Sequence, residues 1–433
     1  MSDCAQPHQS SRQVAASDAT EPGLQADAAL DASFAVPPCA AAFSAEPREI
    51  LLTGASGFLG AFVLDALIRE TSARVRCLVR APAPAAAFER LVLSRRRFGV
   101  DGDLPRDRVE AVCGDLALPG LGISEAEHAA LARNADTIIH VGAAMNFYQS
   151  YEALRPANVG GTGEILRLAV RDHTKVLHYV SSSGVFEARS YLGMTVRESD
   201  QPARCDHSVT GYTQSKWVAE RLVAAARGRG LPVCIHRPPF ITGHSVTGAV
   251  DFDNLMTRMM VGCIQGGSWP DESAPVDLVP VDYVSGGLVR ILCRPECIGR
   301  TFHYAGRRSL QWADIGRALR DCGFALDLPP FGEWKREMRR FVRSRDNALR
   351  PLAPFFLKTN PRLAEPSPDA FIEPRRPRFD GAATRELLAG LGVEAPDLDT
   401  PLFVTYCDYF QRSGWVQRPS EKKASAGTAH PDA

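Results

Sequence analysis

Residues 50–60 read Ile-Leu-Leu-Thr-Gly-Ala-Ser-Gly-Phe-Leu-Gly, and this stretch limits what the rest of the chain can become. Ile50, Leu51 and Leu52 form a short apolar run suited to a buried strand. Thr53 and Gly54 end it, and residues 61–70 then place Phe62, Leu64, Leu67 and Ile68 at helical spacing. The first N–H groups of a helix lack partners within it, and the macrodipole adds partial positive charge there, so the turn attracts an anion. Gly54 permits the tight turn, Gly57 lets a pyrophosphate approach the backbone, and Gly60 lets the helix lie close to the strand. The spacing is GxxGxxG rather than GxGxxG. Such a triplet alone would fit an ordinary loop; set between a strand and a helix it points to a dinucleotide.

The following residues continue the alternation. Apolar runs at 75–80, 109–116, 135–144, 175–180 and 231–236 read as strands, with shorter ones expected at 276–284 and 301–304. Helical patterns at 83–98 and 158–170 lie between them. The fold class is therefore α/β, a doubly wound parallel sheet. At the end of the second strand an NAD-specific chain would carry an acid for the ribose 2′-hydroxyl; Arg80 stands there instead and suits a 2′-phosphate, the alternative being a solvated loop arginine. Asp115, with Leu116, is placed to reach an adenine amino group, and Gly142, Ala143 and Ala144 leave room for a cofactor over the fourth strand. Arg95, Arg96 and Arg97 read as a solvated face.

Chemistry concentrates further on. Ser181, Ser182 and Ser183 sit at the C-terminal end of the fifth strand, where open α/β sheets bind ligands. Tyr212 and Lys216 are four apart, so a helix puts both on one face. Alone, that pair would be a surface contact; with the hydroxyl cluster and the nucleotide turn it becomes a reacting constellation. Arg237, Pro238, Pro239, Phe240 and Ile241 end the sixth strand in an extended path.

Bulk properties mainly exclude. With 50 basic and 50 acidic residues there is no global charge to favour nucleic acid or an acidic membrane. No apolar run reaches the roughly 18 residues that a membrane span needs. The 11 cysteines contain no CxxC pair, which fits buried thiols and a cytoplasmic location rather than a disulfide framework. Histidines stand singly, so no metal is expected. Residues 1–45 carry one basic residue, Arg12, against Asp3, Asp18, Glu21, Asp27 and Asp31, and read as a disordered tail, with a docking segment as the alternative. Residues 416–433 read likewise. The nucleotide domain is expected over 46–245 with returning segments at about 276–305; 246–275 and 306–415 form a smaller, mainly helical substrate-binding part. Its segment 334–345 bears Lys335, Arg336, Arg339, Arg340 and Arg343 on one face, which reads as a solvated face or as a docking surface for an acidic partner.

Taken together, TGASGFLG, VSSSGVF, YTQSK and RPPFITG resemble an extended short-chain dehydrogenase/reductase. Residues 140–144, HVGAA, and 155–162, RPANVGGT, are similar to its thioester reductase branch, the terminal reductase domains of nonribosomal peptide synthetases and carboxylic acid reductases, with fatty acyl-CoA reductases as relatives. The likeness covers residues 47–305 well and the rest loosely. It implies that Gly54, Ser56, Gly57, Phe58 and Leu59 meet the phosphates of NADPH and that Arg80 meets its 2′-phosphate. Pro239, Phe240 and Ile241 would also touch the cofactor. Ser182, with Ser183 as fallback, Tyr212 and Lys216 would be catalytic: Tyr212 as proton donor, Lys216 lowering its pKa and holding the nicotinamide ribose. Asn158 would hold a relay water. Serine at 182 departs from the threonine common in the family. No carrier-type serine motif stands in residues 1–45, so the implied partner is an acyl thioester on a separate carrier protein or synthetase, or on coenzyme A. A nucleotide-sugar epimerase or hydroxysteroid-type dehydrogenase is the alternative, and a non-catalytic NADP-binding regulatory protein a further one; the retained Tyr212/Lys216 pair speaks against the last.

Overall fold

The computed structural model describes residues 22–38, 43–146, 148–206, 209–357 and 372–417. Seven parallel strands form its central sheet: β1 (Glu49–Thr53), β2 (Arg74–Val79), β3 (Val109–Cys113), β4 (Thr137–His140), β5 (Val176–Val180), β6 (Val233–Arg237) and β7 (Thr301–His303). Their spatial order is β7-β6-β5-β4-β1-β2-β3. β4, β5 and β6 are buried along their whole length, as strands covered on both faces require. The order reverses between β1 and β4, where Thr53 pairs with both Leu78 and His140, and a crevice opens beyond these strand ends.

Helices cover both faces. On one lie α2 (Phe58–Glu70), α3 (Pro84–Arg97) and α9 (Val281–Leu292), with Val63, Leu67, Leu288 and Ile291 in a shared core. On the other lie α4 (Glu125–Asn134), α5 (Tyr151–Arg155), α6 (Gly161–Val170) and α7 (Gly211–Gly228), packed through Ile165, Leu168, Val218 and Leu222. A π turn at Pro156–Gly160 joins α5 to α6. The C-terminal part has its own core, where α8 (Leu255–Gly266), α10 (Trp312–Asp321), α11 (Phe331–Phe341) and α12 (Thr400–Arg412) bury Met256, Met260, Trp269, Ile315, Trp334 and Phe410.

Four expectations need correction. Residues 276–284 are not one returning strand: Leu278–Pro280 pairs with Phe240–Thr242, and α9 then begins at Val281 with Pro280 as its N-cap. Short apolar runs do not separate strand from buried helix by periodicity alone. Arg95 is no solvated residue; it is 3% exposed, bound to Asp65 at 3.1 Å and to the Asp101 carbonyl at 3.0 Å. Leu388 and Ala395, expected in the substrate part, pack into the α2–α9 core.

The fourth correction concerns the N-terminal tail. Residues 22–38 are built onto the domain, beginning with helix α1 (Pro22–Asp27). Leu24 is buried beside α7. Asp27 accepts two bonds from Arg155, both 2.6 Å, and one from the Tyr151 hydroxyl at 2.6 Å. Arg229 donates to the carbonyls of Leu30 and Phe34, and Thr174 to that of Pro37. Leu24, with Ala28, Leu30, Phe34 and Val36 packed against the same core, and a few charge-assisted bonds offset the poor apolar content on which the expectation rests. Residues 1–21 and 418–433 lie outside the described residues.

Candidate active site

A cleft of about 460 Å³ lies over the C-terminal ends of β1, β2, β4 and β5. At one end it is lined by the glycine turn. Gly54 has φ +77°, and a Cβ there would stand 2.6 Å from the Gly142 nitrogen. A Cβ on Gly60 would meet the Gly54 carbonyl oxygen at 2.0 Å, so only glycine lets α2 come this close. Thr53 Oγ1 accepts from Gly142 N–H at 3.0 Å and meets His140 Nδ1 at 2.7 Å, which fixes the β1 end against the β4 end. Burial pushes His140 down to about 3, so it stays neutral. Gly57 caps α2 without a side-chain bond, leaving the first N–H groups for an anion.

Gly54, Ser56, Gly57, Phe58, Leu59, Arg80, Asp115, Leu116, Gly142, Ala143, Ala144, Ser182, Ser183, Tyr212, Pro239, Phe240 and Ile241 all line this one cleft, so most of the expected set is brought together. Arg80 is exposed at the wall. A second guanidinium joins it: Arg90, on α3, donates to the Arg80 carbonyl at 2.8 Å and lines the same end. The glycine cradle and the open helix start fit the pyrophosphate of a dinucleotide, and two arginines stand at the same end.

At the other end, Ser182 Oγ accepts from Gly184 N–H at 3.1 Å, holding the serine turn. Thr210 caps α7, which carries Tyr212 onto the wall in its first turn. Lys216, one turn deeper, is 4% exposed and does not line the cleft. Its ammonium donates to the Val180 carbonyl at 2.8 Å and lies 4.3 Å from the Tyr179 ring centroid. The expected lowering of the tyrosine pKa is absent: burial, then the Glu187 carboxylate, push the Tyr212 phenol up to about 12. Burial likewise drops Lys216 to about 7, with Glu220 opposing. Desolvation is the largest cause at both groups.

Asn158 also sits apart from the cleft-lining set. It is 2% exposed and lies off the cleft wall. Its Oδ1 accepts from Ala144 N–H at 2.7 Å, and its Nδ2 donates to the Ala144 carbonyl at 2.9 Å and Ser215 Oγ at 2.8 Å. The side chain thus ties the β4 loop to α7.

Behind the wall, Arg237 holds Glu220 Oε1 through Nε at 3.1 Å and Nη2 at 2.6 Å, and Glu220 Oε2 accepts from Ser181 Oγ. Glu187, Asp251, Asn254 and Leu255 line the cleft too, from the serine turn and the segment entering α8. None of these, nor Arg90, carries a local motif; distant segments bring them in. Lys335, Arg336, Arg339, Arg340 and Arg343 do not line the cleft. No group of three or more possible metal ligands exists among the described residues.

Fold and cleft define an NAD(P)-dependent oxidoreductase of the extended short-chain dehydrogenase/reductase type. Residues 52–287 match the Male sterility protein family, an NAD-binding domain. The chain is 38% identical to the terminal R domain from the myxalamid PKS-NRPS biosynthetic pathway, with 92% of this chain and 99% of that one covered and a TM-score of 0.81. It is 36% identical to a component of the linear gramicidin synthase of Brevibacillus parabrevis, over 91% of this chain and 8% of that protein. With the L-2-aminoadipate reductase of Schizosaccharomyces pombe it shares 33% identity over 79% of this chain and 24% of that one. The chain thus belongs to the Male sterility protein family, in the branch formed by terminal reductase domains. Eight curated relatives are matched over between 8% and 37% of their own length. No described helix is long and apolar enough to cross a membrane.

Proposed function

We propose that the chain reduces an acyl thioester, presented on a carrier protein or on coenzyme A, to an aldehyde and a free thiol with NADPH. The observation that carries this is a single cleft with Ser182 and Tyr212 on the wall at one end and the glycine turn, Arg80 and Arg90 at the other. The likeness to a terminal R domain supports it. Gly54, Ser56, Gly57, Phe58 and Leu59 would hold the phosphates, Arg80 and Arg90 the 2′-phosphate, and Asp115 the adenine. Bound there, NADPH would supply hydride to the carbonyl carbon.

The chain's own groups act at the carbonyl oxygen. Ser182 donates a hydrogen bond to it as negative charge grows, and Tyr212 donates its proton. A phenol pushed up to about 12 keeps that proton at neutral pH and gives it up only to a strongly basic oxygen, such as a forming alkoxide. Transfer of the resulting hydroxyl proton to sulfur as the C–S bond breaks then releases the thiol and leaves the aldehyde; a second round would give the alcohol. Arg336, Arg339, Arg340 and Arg343, exposed on and just after α11, would meet an acidic carrier. A cytoplasmic location fits the nine described cysteines, all free thiols.

The test is NADPH consumption with a panel of acyl-CoA and acyl-carrier thioesters, with the aldehyde trapped and weighed by mass spectrometry. Reduction of a free sugar nucleotide or ketone, with every thioester inert, would overturn the reading.

A further inference from the structure

We infer that Glu220 is a positioning residue for the reaction: one buried carboxylate fixes the serine turn, the Tyr212–Lys216 helix and the Arg237–Pro239 turn against one another, and it places a negative charge one helical turn from Lys216. The inference rests on the reading of Tyr212 and Lys216 as the reacting pair.

Glu220 is 0% exposed, Arg237 2% and Ser181 4%. They come from three elements: α7, the end of β6 and the residue after β5. Ser181 directly precedes Ser182, and Arg237 directly precedes Pro238 and Pro239, so each partner of Glu220 adjoins a segment on the cleft wall. Tyr212, Lys216 and Glu220 recur every four residues and share one face of α7. Arg237 is itself held by the Asp200 carbonyl at 2.9 Å and by His303 Nε2 at 3.1 Å, and its guanidinium lies 4.8 Å from the Phe186 ring centroid.

A buried ion pair contributes little net stability compared with apolar side chains of the same volume. Three catalytic segments meeting on this one carboxylate is better explained by what it does to them. Facing Lys216 are the Val180 carbonyl and Tyr179 ring from β5, neutral His140 from β4, and Tyr212 and Glu220 on its own helix. Of these, Glu220 is the group whose charge opposes the desolvation of the lysine. Without it, the ammonium would lose its proton at lower pH.

The test compares Glu220→Gln with wild type across pH, by kcat/KM for thioester reduction and by the fluorescence of bound NADPH. Glutamine keeps the length and an acceptor for Ser181 but removes the charge. The alkaline limb of both profiles is expected to move down by about one pH unit, so the variant loses about tenfold at pH 8 and recovers to within threefold at pH 6. A merely structural role would give a loss equal at every pH, and that result, or an unmoved limb, overturns the inference. Glu220→Asp keeps the charge and is the second variant, should glutamine prevent folding: its limb is expected at the wild-type position with reduced turnover, and a displaced limb counts against the inference. Full turnover in Tyr212→Phe would remove the reading of the reacting pair; a flat loss in Glu220→Gln beside an inactive Tyr212→Phe removes only the role of Glu220.

Discussion

Lys216 donates from its ammonium to the carbonyl of Val180 at 2.8 Å, so the helix that carries Tyr212 is bonded to the strand end that leads into Ser181 and Ser182. Tyr212, the proposed proton donor, and Ser182 are held in register by this bond from the lysine side chain to a backbone carbonyl. Replacing Tyr212 by Phe leaves that bond in place. Tyr212→Phe is therefore expected to bind NADPH nearly normally and to turn over about 10²–10⁴-fold more slowly. Lys216→Met removes the bond and the charge, and both binding and turnover should fall. Titration of NADPH fluorescence beside steady-state rates separates the two. The signs with pH also differ. The phenol, pushed up to about 12, stays protonated through the neutral range, whereas the lysine, pushed down to about 7, loses its charge as pH rises through neutrality. Cofactor affinity should thus decline on the alkaline side in wild type, and that limb should vanish in Lys216→Met.

The proposed preference for NADPH rests on two guanidiniums. Arg80→Ala should weaken NADPH by roughly 1.5–3 kcal/mol, the size of a hydrogen bond to a charged group, and leave NADH almost unchanged. Arg90→Ala should act in the same direction, because it both lines the phosphate end and holds the Arg80 carbonyl. Dissociation constants for the two cofactors with each variant decide this. Equal losses for NADH and NADPH would mean that neither arginine reads the 2′-phosphate.

What can be read from the sequence is local. The glycine turn, Ser182 and the Tyr212/Lys216 pair each declare themselves within a few residues, because strand end, turn and helix face are fixed by short-range geometry. Arg90, Glu187, Asp251 and Asn254 reach the same cleft from separate segments, and only the closed fold shows it. The roles of Lys216 and Asn158 turn on burial, which alternation of residue types does not report. Charge pairing misleads as well: Arg95 looks solvated in a run of arginines, yet Asp65, 30 residues earlier, is its partner. Composition marks the N-terminal segment as a tail, and composition does not reveal that Asp27 meets Arg155.

That segment gives a stability prediction. Removing residues 1–38 exposes the Leu24 site and frees Tyr151, Arg155 and Arg229, so the melting temperature should fall. Asp27→Asn should reproduce part of the loss. The carboxyl of Asp27 is held below its ordinary range, chiefly by the Arg155 hydrogen bond. A depressed acid contributes stability above its unfolded pKa of about 3.9 and loses it as pH falls through the folded value. Wild type and Asp27→Asn should therefore differ at pH 7 and converge at the acid end. Thermal melts of both proteins across pH read this directly; a difference that persists in acid would assign the effect to packing rather than charge.

Delivery of the acyl group gives the last prediction. On α11, Trp334 and Met338 are buried and face the C-terminal core, while Arg336, Arg339 and Arg340 are exposed, as is Arg343 just beyond. Two acids share the helix, Glu333 in its first turn and Glu337, which accepts from Ser268 Oγ at 2.5 Å; against them stand Lys335, Arg336, Arg339 and Arg340, with Arg343 just beyond. Exposed charges of one sign speed encounter with a partner of the other, and salt screens them over about 10 Å at 0.1 M. Reversing Arg339, Arg340 and Arg343 to Glu together should slow reduction of a carrier-bound thioester strongly at low ionic strength and weakly at high. A small, uncharged N-acetylcysteamine thioester needs no docking and should be reduced at close to the wild-type rate by the same preparation. Because both esters share the chemical step, a misfolded variant would lose both together. Equal slowing of the two esters with unchanged melting behaviour would show that α11 is a solvated face and that the carrier meets the protein elsewhere.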